Sequence, residues 1–347
     1  MKLVSKIRLT CVWAACAGLV FLVAPSLLRA GGNESPQPIL LQSQEFTKTI
    51  KKEFPLNATG NLSLVNKYGK VDVKTWEKDR VKIDVTIVVK AGSEAAAQEV
   101  FNRIHVDFVN DANFVKAETV IESNKGNWWD WGGGGNRTEF QINYAVFMPA
   151  TASLDLSNKY GDAFVAAIEG KTAVNVSYGN FRLEGVGGNL AVNLGYGNGT
   201  VVRAKDVSAD VSYSKIIFND VQNVDFVSKY SKITVDKGVD VKAESRYDHF
   251  NLPKVRQFKH SSRYGDVEIG SAESVVAMSR YTDYRIERLT DNGEFDLQYG
   301  GLQLDNVTKG FSTLNLTGKY SDFKIAVEPG ASYTLEAAAN YAGIAYP

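Results

Sequence analysis

Past its first thirty residues this 347-residue chain has no cysteine; the only two are Cys11 and Cys16. A fold built on the remainder has no disulfide to hold it and must rest on buried apolar surface. Histidine is nearly as scarce. His105, His249 and His260 are scattered without metal-ligand spacing, so no metal and no cofactor is expected. A lysine-bearing phosphate loop and a nucleophile elbow are both missing, and the glycines at 132–135 lack the strand–loop–helix setting of a phosphate site. Neither sign of charge dominates, with 39 Lys and Arg against 39 Asp and Glu. Without the four cations of the first thirty residues, 35 basic residues face 39 acidic ones. That balance argues against a nucleic-acid partner, which favours a basic domain.

Long apolar runs are also missing, apart from residues 9–28. That run follows Lys2, Lys6 and Arg8 and ends before Arg29-Ala30, which reads as a secretory signal peptide (1–30) cut near Ala30. The competing reading is an uncleaved anchor, since the run is about long enough to span a bilayer. A lipoprotein signal fits poorly, because Trp13 stands where Leu is expected before Ala14-Ala15-Cys16. The mature chain is expected to be exported and to have no transmembrane segment.

What is present is a period. Tyr160, Tyr178, Tyr196, Tyr213, Tyr230, Tyr247, Tyr264, Tyr281 and Tyr299 recur every 17 or 18 residues, and Tyr320 follows after 21. Each brings the same neighbours. Apolar residues alternate before it, as in Leu190, Val192 and Leu194, which is strand periodicity. A small or turn-forming residue follows it, as in Gly197, Ser214 or Asp248. Apolar positions return three, five and eight residues later, as in Phe181, Leu183 and Val186. A repeat this short is below any helical repeat unit and predicts stacked coils. The expected fold is all-β: a single-chain parallel β-solenoid with 17–18-residue coils over 151–347. Counted forward from the preceding strand, each Tyr shares parity with the inward residues, so the ten rings are expected inside as a structural ladder.

Upstream, residues 31–53 are polar and read as a flexible lead-in. An N-terminal β cap region is expected over 54–150. Its strands fall at 61–73, 81–89, 105–108, 115–121 and 141–148. Its helix, at 93–104, is capped by Ser93, with Ala97, Val100, Phe101 and Ile104 on one face. A Trp/Gly loop at 125–137 completes it. No cap is evident at the other end, where the sequence closes on Tyr346-Pro347.

Three features together resemble one bacterial family: Asn66-Lys67-Tyr68-Gly69 followed by Trp76; the helical insert; and the run from Tyr144 to Pro149 leading into Ser157-Asn158-Lys159-Tyr160-Gly161. The chain resembles the putative-adhesin family of exported bacterial domains of unknown function, related to auto-transporter adhesin heads, over about residues 40–345. The resemblance implies an envelope-facing β-solenoid and supplies no catalytic residue.

Three surface features are candidates for chemistry. Asp266 and Asp283, two residues after successive tyrosines, would stand about 5 Å apart, the separation of a retaining glycosidase pair. They occupy a turn position where Asp is common for local reasons. A stripe of Lys229, Arg246, Arg263 and Arg280 precedes four consecutive tyrosines, with Lys159 and Lys319 further out. Like charges at roughly 4.8 Å repel by about 0.9 kcal/mol per pair even in water, so the stripe is either a solvated face or an anion- or glycan-binding site. Trp128, Trp129 and Trp131 form an aromatic loop that either contacts sugar or protein, or folds over the cap. The expected function is non-enzymatic, an adhesin-like or scaffold surface whose partner is envelope polysaccharide or another envelope protein. The alternatives are a polysaccharide-active solenoid enzyme and a periplasmic partner in envelope stress signalling.

Overall fold

The computed structural model describes residues 44–122, 139–339, 343 and 345. It is a parallel β-solenoid of stacked coils about 18 residues apart, with one helix among the described residues. Its strands are β1 (Gln44–Pro55), β2 (Asn61–Lys67), β3 (Val71–Trp76), β4 (Arg80–Ala91), β5 (Ile104–Asn110), β6 (Phe114–Ile121) and β7 (Glu139–Pro149). Then come β8 (Ser153–Lys159), β9 (Ala163–Val165), β10 (Thr172–Ser177), β11 (Asn180–Leu183), β12 (Leu190–Gly195), β13 (Asn198–Ser212) and β14 (Lys215–Lys229). Beyond them are β15 (Lys232–Gln298), β16 (Gly301–Val307), β17 (Thr313–Lys319) and β18 (Asp322–Val327). The span of β15 includes the corners at Tyr247, Tyr264 and Tyr281.

Every coil pairs in parallel with the next, and equivalent positions fall opposite each other. Val174 pairs with Val192, Val192 with Ala209, and Val224 with Val241. The alternation seen in the sequence therefore becomes a continuous core. Leu190, Val192 and Leu194 are buried, and so are Phe181, Leu183 and Val186. At about 1.5–3 kcal/mol for each fully buried aliphatic or aromatic side chain, this core stands in for the absent disulfides.

The early Asn-Lys-Tyr-Gly belongs to a regular coil: β2 pairs with β8 and β3 with β9. Outside it lie β6 and β7, also parallel. The direction then reverses. β5 pairs antiparallel with β6, β4 with β7, and β1 with β4. Ser93 caps α1 (Glu94–Arg103), its Oγ accepting the Ala96 N–H at 3.3 Å, and Ala97, Val100 and Phe101 are buried. Polar groups tie the outer coils together. Asn66 donates to Asn158 Oδ1 and to the Ile142 carbonyl, while Thr119 donates to Asn66 and lies 2.8 Å from the Tyr144 hydroxyl. Burial pushes the Tyr144 phenol up to about 12.

The lead-in expected over 31–53 is a strand from Gln44 onward. Its apolar residues, Phe46, Ile50 and Phe54, are four apart and share a face with Lys48 and Lys52, so strand alternation is hidden. Backbone pairing to β4 holds it instead. No helix among the described residues is long and apolar enough to cross a membrane.

His260 occupies an inward position filled by Phe226 and Ala243 in the two preceding coils. Its Nε2 lies 2.7 Å from Ser245 Oγ and its Nδ1 2.9 Å from the Tyr284 hydroxyl. Desolvation pulls its pKa down to about 3. The unfolded chain, with an ordinary imidazole near 6.5, therefore binds the proton more readily between those values. Stability should fall as pH drops from about 6.5 toward 3, by up to ~1.4 kcal/mol per pH unit from this group. Urea midpoints at pH 6 and pH 4 should differ by less in His260→Phe/Tyr284→Phe than in the wild type.

The glycine after each early tyrosine faces the neighbouring coil's backbone. A Cβ on Gly179 would sit 2.0 Å from the Gly161 carbonyl oxygen, whereas one on Gly185 meets nothing closer than 3.7 Å. Overpacking against a backbone costs about 1–3 kcal/mol or more. Thermal unfolding should show Gly179→Ala clearly destabilised and Gly185→Ala close to wild type.

Candidate functional site

At each coil corner stands a tyrosine whose backbone is left-handed. All eleven, Tyr68 and the ten of the regular series, have φ between 51° and 63°. For a residue with a Cβ this conformation costs about 1–2 kcal/mol; glycine adopts it freely. The left-handed step shifts the parity by one. The ring goes out and the next residue goes in. The tyrosines expected inside are instead exposed, from 36% at Tyr264 to 74% at Tyr320.

The rings nevertheless form one file. Centroids lie 4.8–5.1 Å apart through ten successive pairs, from Tyr68–Tyr160 to Tyr299–Tyr320, with ring planes within 21° of parallel. The ridge is roughly 50 Å long at this spacing. Stacking contributes about 0.5–1.5 kcal/mol per pair, enough to offset the strained corner. Because faces meet faces, the ridge shows solvent its ring edges and hydroxyls.

Beneath each ring, the inward residue serves the neighbouring coil. Ser214 Oγ accepts the Gly197 N–H, Ser231 Oγ accepts the Ser214 N–H, and Asp248 Oδ1 accepts the Ser231 N–H at 2.6 Å. Asp248 Oδ2 also accepts from Ser228 Oγ and the Arg246 N–H. Burial raises the Asp248 pKa despite these donors. Asp248 thus lies under the ridge and is not a counterion on it.

One flank carries the stripe read from the sequence. Lys229, Arg246, Arg263 and Arg280 are exposed, and Lys229 is register partner to Arg246. Arg246, Arg263 and Arg280 line a groove of about 500 Å³ with Glu244, Ser262 and Gln298. The Arg246 guanidinium lies 5.4 Å from the Tyr247 centroid, and Lys159 Nζ lies 4.9 Å from that of Tyr160. The other flank is a shallow groove of about 900 Å³ beside Tyr213, Tyr230, Tyr247 and Tyr264, lined by Asn198, Lys215, Lys232, His249 and Asp266. Lys215 and Lys232 make the middle of the ridge cationic on both sides. They stand two residues after their tyrosines, the same turn position that Asp266 and Asp283 occupy. Among the described residues, none of Lys215, Lys229, Lys232, Arg246, Arg263 and Arg280 is in an ion pair.

Asp266 and Asp283 lie exposed on the second flank. Asp266 is paired with His249 Nδ1, and Asp283 accepts the Gly301 N–H at 2.8 Å. Neither carboxylate is enclosed, and each already has a hydrogen-bond partner. Trp128, Trp129 and Trp131 lie outside the described residues.

No family model matches the chain, and no curated protein matches it. Solved structures do. One, named a putative adhesin from Parabacteroides distasonis, is 12% identical with a TM-score of 0.34, covering 80% of this chain and 97% of that one. A putative adhesin from Bacteroides fragilis is 12% identical with a TM-score of 0.30 over the same shares. A putative lipid-binding protein from Parabacteroides distasonis is 11% identical with a TM-score of 0.29, again over 80% and 97%. The chain is similar to proteins named putative adhesins. Those names match the family that its motifs resemble. At these TM-scores the likeness carries no argument about activity, so the functional reading rests on the ridge.

Exposure changes what a ring is worth to stability. Replacing Tyr247 by glycine relieves the left-handed strain and removes two stacking contacts, changes of similar size and opposite sign. Tyr247→Gly should shift unfolding free energy by no more than about 1–2 kcal/mol in urea titrations. Tyr247→Val, which keeps the strain and loses the stacking, should be the less stable of the two.

Proposed function

We propose that this chain is a non-enzymatic, exported β-solenoid acting as an adhesin-like surface at the bacterial envelope, and that the tyrosine ridge is its binding face for a linear acidic polysaccharide. One observation carries the reading. Eleven consecutive corners place a strained, half-exposed tyrosine where glycine would close the turn with less strain. Strain of this kind that recurs at an exposed surface points to use of that surface.

The chemistry of the ridge selects the ligand class. Aromatic edges are the positive part of the ring quadrupole, and the phenol hydroxyls can donate. Lys215, Lys229, Lys232, Arg246, Arg263 and Arg280 surround the middle of the ridge without ion-pair partners among the described residues. Edges, donors and cations all favour an anionic, acceptor-rich ligand. The repeat favours a linear one, because equivalent groups recur every 4.8–5.1 Å. Many weak contacts along one chain add up by effective concentration.

The test is retention on immobilised heparin, used as a model acidic polysaccharide, against a neutral dextran column. The wild type should be retained on heparin alone and elute with added salt, since exposed charges are screened over about 10 Å at 0.1 M. Arg246→Ser/Arg263→Ser and Tyr230→Gly/Tyr247→Gly should both elute earlier. Equal retention of all three proteins would reduce the ridge to a structural ladder with a solvated flank.

A further inference from the structure

The two ends of the solenoid are finished differently. At the N-terminal end the antiparallel strands β1, β4 and β5 and the helix α1 complete the stack. At the other end β17 and β18 form the outermost coil, and among the described residues nothing pairs on their far side. Their inward residues show it. Phe295, Leu297, Leu302 and Leu304 are buried one coil below, whereas Leu314, Leu316, Phe323 and Ile325 are only partly covered.

The chain that follows carries the coil pattern again. Leu335, Ala337 and Ala339 alternate with Glu336, Ala338 and Asn340; then come Tyr341, the small Ala342 and, three residues after the tyrosine, Ile344. The step from Tyr320 to Tyr341 is 21 residues, the same as from Tyr299 to Tyr320. The structure shows the chain entering this path. The Glu328 N–H donates to the Val307 carbonyl, and its carboxylate accepts the Lys309 N–H. Gly310 and Gly330 take matching left-handed turns at φ 79° and 80°. The Tyr333 ring lies 6.2 Å from that of Phe311, one coil below. Beyond this point residues 331–339 form no strand, and Leu335 is exposed.

We propose that residues 333–346 dock in cis on the open edge of β17 and β18 as a further coil. Leu335, Ala337, Ala339 and Ile344 cover the exposed end of the core, and Tyr341 becomes the next ring of the ridge. Edge backbone groups left unpaired are a template for pairing with another chain, so docking of this segment decides whether the solenoid stays closed or joins a second copy end to end. The segment's own register argues for the closed form. It is connected to the edge by the turn at Gly330, which already places the chain one coil above Lys309.

Nitroxide labels at Thr317→Cys and Ala338→Cys test this in the full chain with Cys11→Ser and Cys16→Ser. Both labels are on outward positions that become register partners when the segment docks, as Asp296 and Thr317 already are. The expected result is a dipolar-broadened spectrum that persists after ten-fold dilution with unlabelled protein and disappears in Leu335→Asp/Ile344→Asp. Broadening lost on dilution would assign the edge to a second copy and overturn docking in cis. An unbroadened spectrum from a protein with wild-type circular dichroism would overturn docking altogether, as would broadening that survives the double aspartate.

Discussion

Everything in this molecule depends on parallel coils passing one strand spacing apart at a sharp corner. The spacing is set by the backbone ladder, and the corner must turn within one residue while another corner passes directly above. A left-handed residue makes that turn. Once it does, the following residue points into a space already occupied by neighbouring backbone. Glycine fits there at 69, 161, 179 and 197, where a Cβ would fall 1.8–2.0 Å from a carbonyl oxygen. Where Ser214, Ser231 or Asp248 occurs instead, its side chain accepts an N–H of the neighbouring corner, so the extra bulk does the work of a hydrogen-bond partner. The corner thus dictates two residues at once, one outside and one inside.

This explains what could and could not be read from the sequence. The period was visible because stacking repeats each environment at the same interval. The inward strand residues were visible because alternation holds within a strand, and α1 because Ser93 and the spacing of Ala97, Val100 and Phe101 follow ordinary capping and facing rules. The ring direction was not, since alternation was carried forward through Tyr196 from Leu190, Val192 and Leu194. Counting backward from Phe181 and Leu183 puts Gly179 inside and Tyr178 outside. The two counts disagree by one at every tyrosine, and that conflict is the signature of a left-handed corner. β1 was missed for another reason: with apolar residues only at 46, 50 and 54, its pairing is a backbone property that side-chain pattern does not report.

The candidate site was half legible for the same reason. The residue before the corner keeps strand parity, so the stripe of Lys229, Arg246, Arg263 and Arg280 was placed outside, where the structure has it. The residue two beyond the corner sits on the far flank, and only the reversed ring direction makes Lys215 and Lys232 face the same ridge. What looked like one charged stripe and a hidden aromatic ladder is one surface, with tyrosines between a cationic stripe and a flank that carries Lys215 and Lys232 followed by His249 and Asp266.

Choice of tyrosine at the corner is the remaining question, and energetics narrows it. Glycine closes a left-handed turn without strain, and asparagine nearly so. Stacking among the rings offsets the strain of tyrosine but leaves little surplus, since about 0.5–1.5 kcal/mol per pair is set against about 1–2 kcal/mol per corner. A ladder that breaks even does not explain its own repetition through eleven coils of unequal length. The cations beside the rings add small terms of both signs, since Lys229 and Arg246 repel in register on adjacent coils while the Arg246 guanidinium is attracted to the Tyr247 ring 5.4 Å away. On the binding reading proposed above, such a surface would gain net stabilisation from a ligand that covers it. A long anionic chain laid along the ridge would relieve the repulsion between neighbouring cations and accept hydrogen bonds from the hydroxyl row at the same time.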